Sequence, residues 1–147
     1  RCHELTDMQR KTILEYADPQ KFPKTRYQSP PKLGTAIEVE TDCSKFVHEI
    51  YRRAGIQYEY SATSTLSCLR TFPEISESEA KPGDLVLYRG HVGILDEAGL
   101  VIGATRGGPE HRSMQLPTEE GFLPSITRLK KEQAGHGKWK IIRWSCP

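Results

Sequence analysis

The chain has 147 residues, of which 36% are hydrophobic and 27% charged. That is the size and balance of one globular domain over residues 1–147, with enough apolar surface for a core that needs no metal or disulfide scaffold. No apolar run approaches the length that spans a bilayer, which excludes a membrane helix. Lys and Arg number 21 against 19 Asp and Glu, for a formal charge of +2; the basic residues are scattered, with no run longer than a pair such as Lys130-Lys131, which argues against nucleic acid as a partner.

The chain starts at Arg1 rather than Met, so targeting is not read from its first residues. Met8, Ile13, Leu14 and Tyr16 among polar neighbours predict a first helix, opened by a Thr6 or Asp7 cap and ended near Asp18-Pro19. From there to Glu40, Pro19, Pro23, Pro30, Pro31 and Gly34 forbid regular structure over most of the stretch. It is expected to wrap the surface as an ordered loop of the kind that walls a cleft. Phe46, Val47, Ile50, Tyr51 and Ala54 then mark one apolar helical face that stops at Gly55, a residue suited to a left-handed cap. A third helix is expected from about Ser61 or Thr63 to Phe72, with Pro73 beyond its end.

After the polar segment Ser76 to Lys81 the period changes. Leu85 to Tyr88, Val92 to Leu95, Leu100 to Ile102 and Trp139 to Trp144 are short β-branched or aromatic runs and read as strands, with Asp96-Glu97-Ala98-Gly99 as a hairpin turn. Gly107-Gly108-Pro109 and the segment Ala134 to Lys138 read as loops, and no internal repeat is seen. Helices precede strands instead of alternating with them. The expected class is therefore α+β, with N-terminal helices packed on a mostly antiparallel sheet.

Cys2, Cys43, Cys68 and Cys146 include no CxxC pair and no metal-like cluster, so neither a metal site nor a cofactor is expected. In an oxidising compartment a bond among Cys2, Cys68 and Cys146 would leave one thiol over; three pairings fit, and the alternative is that all three are small buried apolar residues. Cys43 differs from the rest because it sits at a helix start, in Thr41-Asp42-Cys43-Ser44-Lys45-Phe46-Val47. Unpaired amides and the positive end of the helix dipole favour a thiolate there, which predicts a lowered pKa.

A cysteine nucleophile needs a base near it in space. Among five histidines His91 is the candidate, because it begins a strand after Gly90 in the run Pro82-Gly83-Asp84-Leu85-Val86-Leu87-Tyr88-Arg89-Gly90-His91-Val92-Gly93-Ile94. His48, five positions after Cys43, is read as a solvent-face residue; His3 and His136 are given no role, and His111 is a candidate for the rim of a cleft. Asp42 is a helix cap on its own chemistry, whatever else it does.

Asp42-Cys43-Ser44 with Phe46-Val47, then Pro82-Gly83-Asp84-Leu85-Val86, then His91-Val92-Gly93-Ile94 resembles the NlpC/P60 family of papain-like cysteine peptidases, over about Tyr27 to Thr105. Each motif alone is weak; three in the family's order are specific. The resemblance implies a papain-like fold and hydrolysis of peptide bonds in the peptidoglycan stem, often between D-glutamyl and a diamino acid. It makes Cys43 the nucleophile and His91 the general base, puts Tyr27 at the oxyanion site, and places Asp42 and Ser44 against the amine end of the substrate.

Two departures stand out. Lys45 replaces the family's usual glycine, which puts a cation near the nucleophile or on an exposed first turn. Gly103 stands where a polar residue usually orients the imidazole, and Thr105, two residues on, is the nearest replacement on the same face.

The resulting expectation is a periplasmic or secreted peptidase or amidase of the cell envelope. The segments from Pro23 to Glu40 and from Gly107 to Ser113 would shape its groove. It would act as a monomer on peptidoglycan or muropeptides, and a delivered toxin of this kind would also have a protein inhibitor or immunity partner. The alternatives are a related amidase or transferase acting on a protein amide and a catalytically inert wall-binding domain.

Overall fold

In the computed structural model, which describes residues 3–105, 126–131 and 137–146, each sequence signal in the first half becomes a local element. Helix α1, Asp7–Tyr16, opens on a capping box in which Thr6 and Gln9 satisfy each other's backbone N–H groups, at 3.0 and 2.9 Å. The proline-rich stretch is mostly loop, but it contributes two short strands, β1 (Arg26–Tyr27) and β2 (Glu40–Thr41), paired in parallel. Helix α2, Cys43–Arg53, lays Cys43, Phe46, Val47, Ile50 and Tyr51 on its buried face. Fully burying side chains such as Phe46, Val47 and Ile50 is worth about 1.5–3 kcal/mol each. The helix stops at Gly55, whose φ of 86° turns the chain so that Ile56 N–H reaches the Tyr51 carbonyl at 2.9 Å.

The third helix is shorter than expected. Helix α3 covers only Thr63–Leu66, and the chain continues to Phe72 through single turns closed by Cys68, Leu69 and Phe72 amides. Thr63, Ser64, Thr65 and Ser67 crowd this segment with hydroxyls that compete for backbone partners, as Thr65 does by donating to the Ala62 carbonyl at 3.0 Å. Only Leu66 supplies a buried apolar anchor within it.

The remaining strands form one six-stranded sheet in the order β3-β8-β4-β5-β6-β7, with every neighbouring pair antiparallel. They are β3 (Glu74–Ile75), β4 (Leu85–Tyr88), β5 (His91–Leu95), β6 (Leu100–Ala104), β7 (Ile126–Lys130) and β8 (Trp139–Ile142). Strand β7 was not anticipated, although its buried Ile126 and Leu129 and exposed Arg128 and Lys130 come close to strand alternation. The β5–β6 turn is the expected one: Asp96 Oδ1 accepts from the Ala98 and Leu100 amides, both at 2.9 Å.

The two faces of the sheet differ. Leu85, Leu87, Val92, Ile94, Ile102 and Ile142 join the core under α2. Val86, Tyr88, Leu95, Val101 and Ile141 form a smaller cluster with Trp139. The Pro82-Gly83-Asp84 turn feeding β4 is anchored by a buried ionic triad in which Asp84 accepts from Arg10 at 2.8 Å and from Arg143 at 2.9 Å. Tyr51 adds a hydrogen bond from its hydroxyl to the Gly83 carbonyl.

Cys146 is disulfide-bonded, whereas Cys68 is an exposed free thiol, which removes Cys68 from the set of bonding candidates. Cys2, His111, His136 and the Gly107 to Ser113 loop lie outside the described residues. No helix among the described residues is long and apolar enough to cross a membrane.

Candidate active site

Asp42 makes Cys43 the first residue of α2. Its backbone is extended, at φ −108° and ψ −173°, and its carboxylate accepts from the Lys45 amide at 2.8 Å, so the helix begins at the next residue. Gln28 N–H donates to the Thr41 carbonyl at 3.0 Å, which ties the β1–β2 pair to the helix start. The sulfur of Cys43 lies 3.3 Å from Thr63 Oγ1, and the backbone amides of Val92 and Ser44 favour its ionised form.

The thiol does not behave as a helix start alone would suggest. Burial pushes its pKa above the ordinary value, the Asp42 charge adds to the rise, and Thr63 and the two amides only oppose it. A helix dipole contributes about 0.3–1 kcal/mol at an exposed terminus. Desolvation of a nearly buried ion is larger, and Cys43 is 4% exposed. The lowered pKa expected from the sequence is therefore corrected to a raised one.

His91 opens β5 and is the direct cross-strand partner of Tyr88 across the Arg89-Gly90 turn. The two rings lie 5.5 Å apart at 35°. A Cβ at position 103 would stand 3.2 Å from His91 Cε1 and 3.3 Å from Nε2, so the imidazole occupies the space that a side chain on Gly103 would claim. The next residue, Val92, packs under α2 with Cys43 and Val47, and its amide favours the ionised form of the Cys43 thiol. His91 is also 4% exposed, so solvent reaches both candidate groups only narrowly and not across the open groove expected. Thr105 is buried one residue past the end of β6.

The residues assigned to substrate cluster at the start of α2. Tyr27 is half-buried and its backbone is paired in register with Thr41, two residues before Cys43. Ser44 Oγ donates to Asp42 Oδ1 at 3.1 Å and lies 2.8 Å from the hydroxyl of Tyr60. Burial raises the Asp42 pKa against the pull of the Lys45 amide and Ser44. Tyr60 and Thr63 were missed by sequence reasoning. Their only signal is the aromatic and hydroxyl run Tyr58-Glu59-Tyr60-Ser61-Ala62-Thr63 after the helix, which carries no motif.

Lys45 is buried, not on an exposed turn: its Nζ donates to the Lys32 carbonyl at 2.6 Å and the Glu40 carbonyl at 3.0 Å. The cation thereby straps the proline-rich loop onto α2. His48 is likewise drawn in, with Nε2 2.9 Å from the Tyr58 carbonyl and its ring edge-on to Tyr58 and Tyr60. Beyond it, segment 33–37 and the outer side of α2 flank a half-open cleft of about 450 Å³, lined in part by Lys45, His48, Glu49 and Tyr60. Among the described residues no group of three or more His, Cys, Asp or Glu side chains is arranged to hold a metal.

The model of the NlpC/P60 family matches residues 27–128. Among solved structures, the chain superposes on a lipoprotein-like protein of the NLP/P60 family from Staphylococcus aureus with a TM-score of 0.63 and 19% identity, covering 99% of this chain and 44% of that one. NlpC1 from Trichomonas vaginalis gives 0.61 and 15%, covering 98% and 46%. The peptidoglycan hydrolase RipB from Mycobacterium tuberculosis gives 0.55 and 16%, covering 95% and 67%. The chain thus spans less than half the length of the first two, and at these identities the likeness is one of fold. No curated protein matches the chain.

Proposed function

The chain belongs to the NlpC/P60 family, and from that premise we propose that it is a cysteine hydrolase of the cell envelope that cleaves a peptide bond in peptidoglycan stem peptides. The bond we assign is the one between D-glutamyl and a diamino acid. The observation that carries the reading is that Cys43, the first residue of α2, shares one buried cluster with Val92, the residue that follows His91 at the start of β5. One helix start and one strand start, about fifty residues apart in sequence, bring a thiol and an imidazole-bearing strand to one place.

Because burial holds the thiol protonated at rest, the reading does not rely on a standing thiolate. His91 takes the Sγ proton as the sulfur attacks the carbonyl carbon, so the C–S bond forms while the charge is handed to the imidazolium. The oxyanion is held by backbone N–H groups next to the sulfur at the start of α2, the Lys45 amide being taken by Asp42, with Tyr27 beside them. The imidazolium then protonates the leaving amine as the C–N bond breaks, and water hydrolyses the thioester. Asp42 and Ser44 bind the amine end of the substrate.

The test is mass analysis of muropeptides digested by wild type, Cys43→Ala and His91→Ala. Cleavage by wild type alone is the expected result. Retained cleavage by Cys43→Ala would reject the thiol mechanism. Absence of cleavage by all three would favour an inert wall-binding domain or an amidase for a different amide, for which Gly103 at the orienting position is the specific motive.

A further inference from the structure

Position 103 has no side chain, and the His91 ring lies close against it. We propose that His91 is positioned by a clamp, with the ring of Tyr88 on one side and the bare backbone of Gly103 on the other. Tyr88 is thus a positioning residue and the glycine a requirement of the site. This inference rests on His91 being the base.

Both jaws of the clamp are rigid. Tyr88 is 3% exposed and its hydroxyl donates to the Lys131 carbonyl at 3.3 Å, while its backbone faces His91 in the β4–β5 register. With centroids 5.5 Å apart, its ring is within the range in which an aromatic face stabilises a cation. It therefore favours the imidazolium that forms during attack. On the other side, a Cβ at 103 would meet the Val92 carbonyl at 3.3 Å as well as the ring edge. Even a methyl group there would crowd the ring and displace it by a few tenths of an ångström. The bare backbone of Gly103 thus lets the base approach the neighbouring strand closely.

The test measures the His91 ring directly, by histidine NMR titration of wild type, Tyr88→Leu, Tyr88→Phe and Gly103→Ala, with His91→Ala giving the assignment. Kinetics on muropeptides run alongside, normalised by alkylation of Cys43. Loss of the ring in Tyr88→Leu is expected to move the His91 midpoint and the acid limb of kcat/KM to lower pH, and Tyr88→Phe to restore both. Gly103→Ala is expected to shift the His91 ring resonances and to lower kcat on the order of 10-fold with KM little changed, as misplacement of a base by a fraction of an ångström does. A purely structural role would lower the yield of folded enzyme without moving the midpoint.

The clamp is overturned if His91 titrates and resonates identically in wild type, Tyr88→Leu and Gly103→Ala. If the variants behave as expected by NMR while Cys43→Ala and His91→Ala cleave like wild type, the functional reading fails and the clamp loses its catalytic meaning. If those two are dead and Tyr88→Leu and Gly103→Ala are kinetically unchanged, the clamp alone fails.

Discussion

Replacing Asp84 by alanine should destabilise the fold strongly. Asp84 is fully buried and accepts from Arg10 Nη1 at 2.8 Å, the Lys81 amide at 2.8 Å, and Arg143 Nε and Nη2 at 3.1 and 2.9 Å. Its loss strands two guanidinium groups whose side chains are only 8% and 15% exposed. Breaking a buried pair by removing one partner costs about 3–5 kcal/mol.

Arg10 keeps the Pro82 carbonyl at 3.0 Å and Arg143 keeps the Glu79 carbonyl at 2.6 Å, so the lower end, about 3 kcal/mol, is expected. For a domain of this size that corresponds to a fall in Tm of about 10 °C. Urea unfolding followed by circular dichroism at neutral pH measures it, with an unchanged m-value as the sign that only stability moved. A cost under about 1 kcal/mol would show that the triad is no more than a solvated surface pair, and the account of how the β4–β5 hairpin is anchored would fall with it.

The other expectations are independent of that triad. Alkylation of Cys43 by iodoacetamide should still be climbing at pH 9.0, the ordinary thiol value, because burial raises the pKa; Thr63→Val should slow it further, and a plateau at neutral pH would contradict the burial argument. Glu49 is held at about 2, below its ordinary 4.5, first by its hydrogen bond with Arg52 and then by Arg53. A lowered carboxylate pKa stabilises above the unfolded value and the effect is lost as pH falls through that window, so Glu49→Gln should flatten the stability profile between about pH 4.5 and 2 in urea titrations. Lys45→Met removes both carbonyl contacts of the strap; it should cost about 1–3 kcal/mol and speed amide exchange at Val39 and Glu40, and unchanged exchange there would mean the loop holds itself.

What could be read from the sequence was what local chemistry decides. The Thr6 cap of α1, the Asp42 cap, the Gly55 stop and the Asp96 turn each depend on residues within five positions of one another, and each formed as expected. The length of α3 is not legible from Pro73, because the hydroxyl-rich interior ends the helix after Leu66. Strand β7 escaped because Ile126 to Lys130 is a weak five-residue alternation whose identity depends on pairing with β6. Cys43 and His91 were picked out by position at element starts; Tyr60 and Thr63 were not, since their roles exist only where the segment after α2 folds back over Ser44 and the sulfur.

The two positions where the sequence looks deficient share a physical cause. Lys45 and Gly103 each break a local pattern, and each is resolved by a partner that local reasoning cannot supply. The cation is absorbed by the carbonyls of Lys32 and Glu40, and the empty glycine by the imidazole of a neighbouring strand. A buried cation without a carboxylate is tolerable only if its donors are met, and a glycine in a central strand gains from another group's close approach what it loses in packing. The same logic governs the thiol. The groups that bury Cys43 come from α3 and β5, so its pKa is set by packing that the helix start cannot foresee, and the raised value makes proton transfer to an imidazole a condition of any attack by this sulfur.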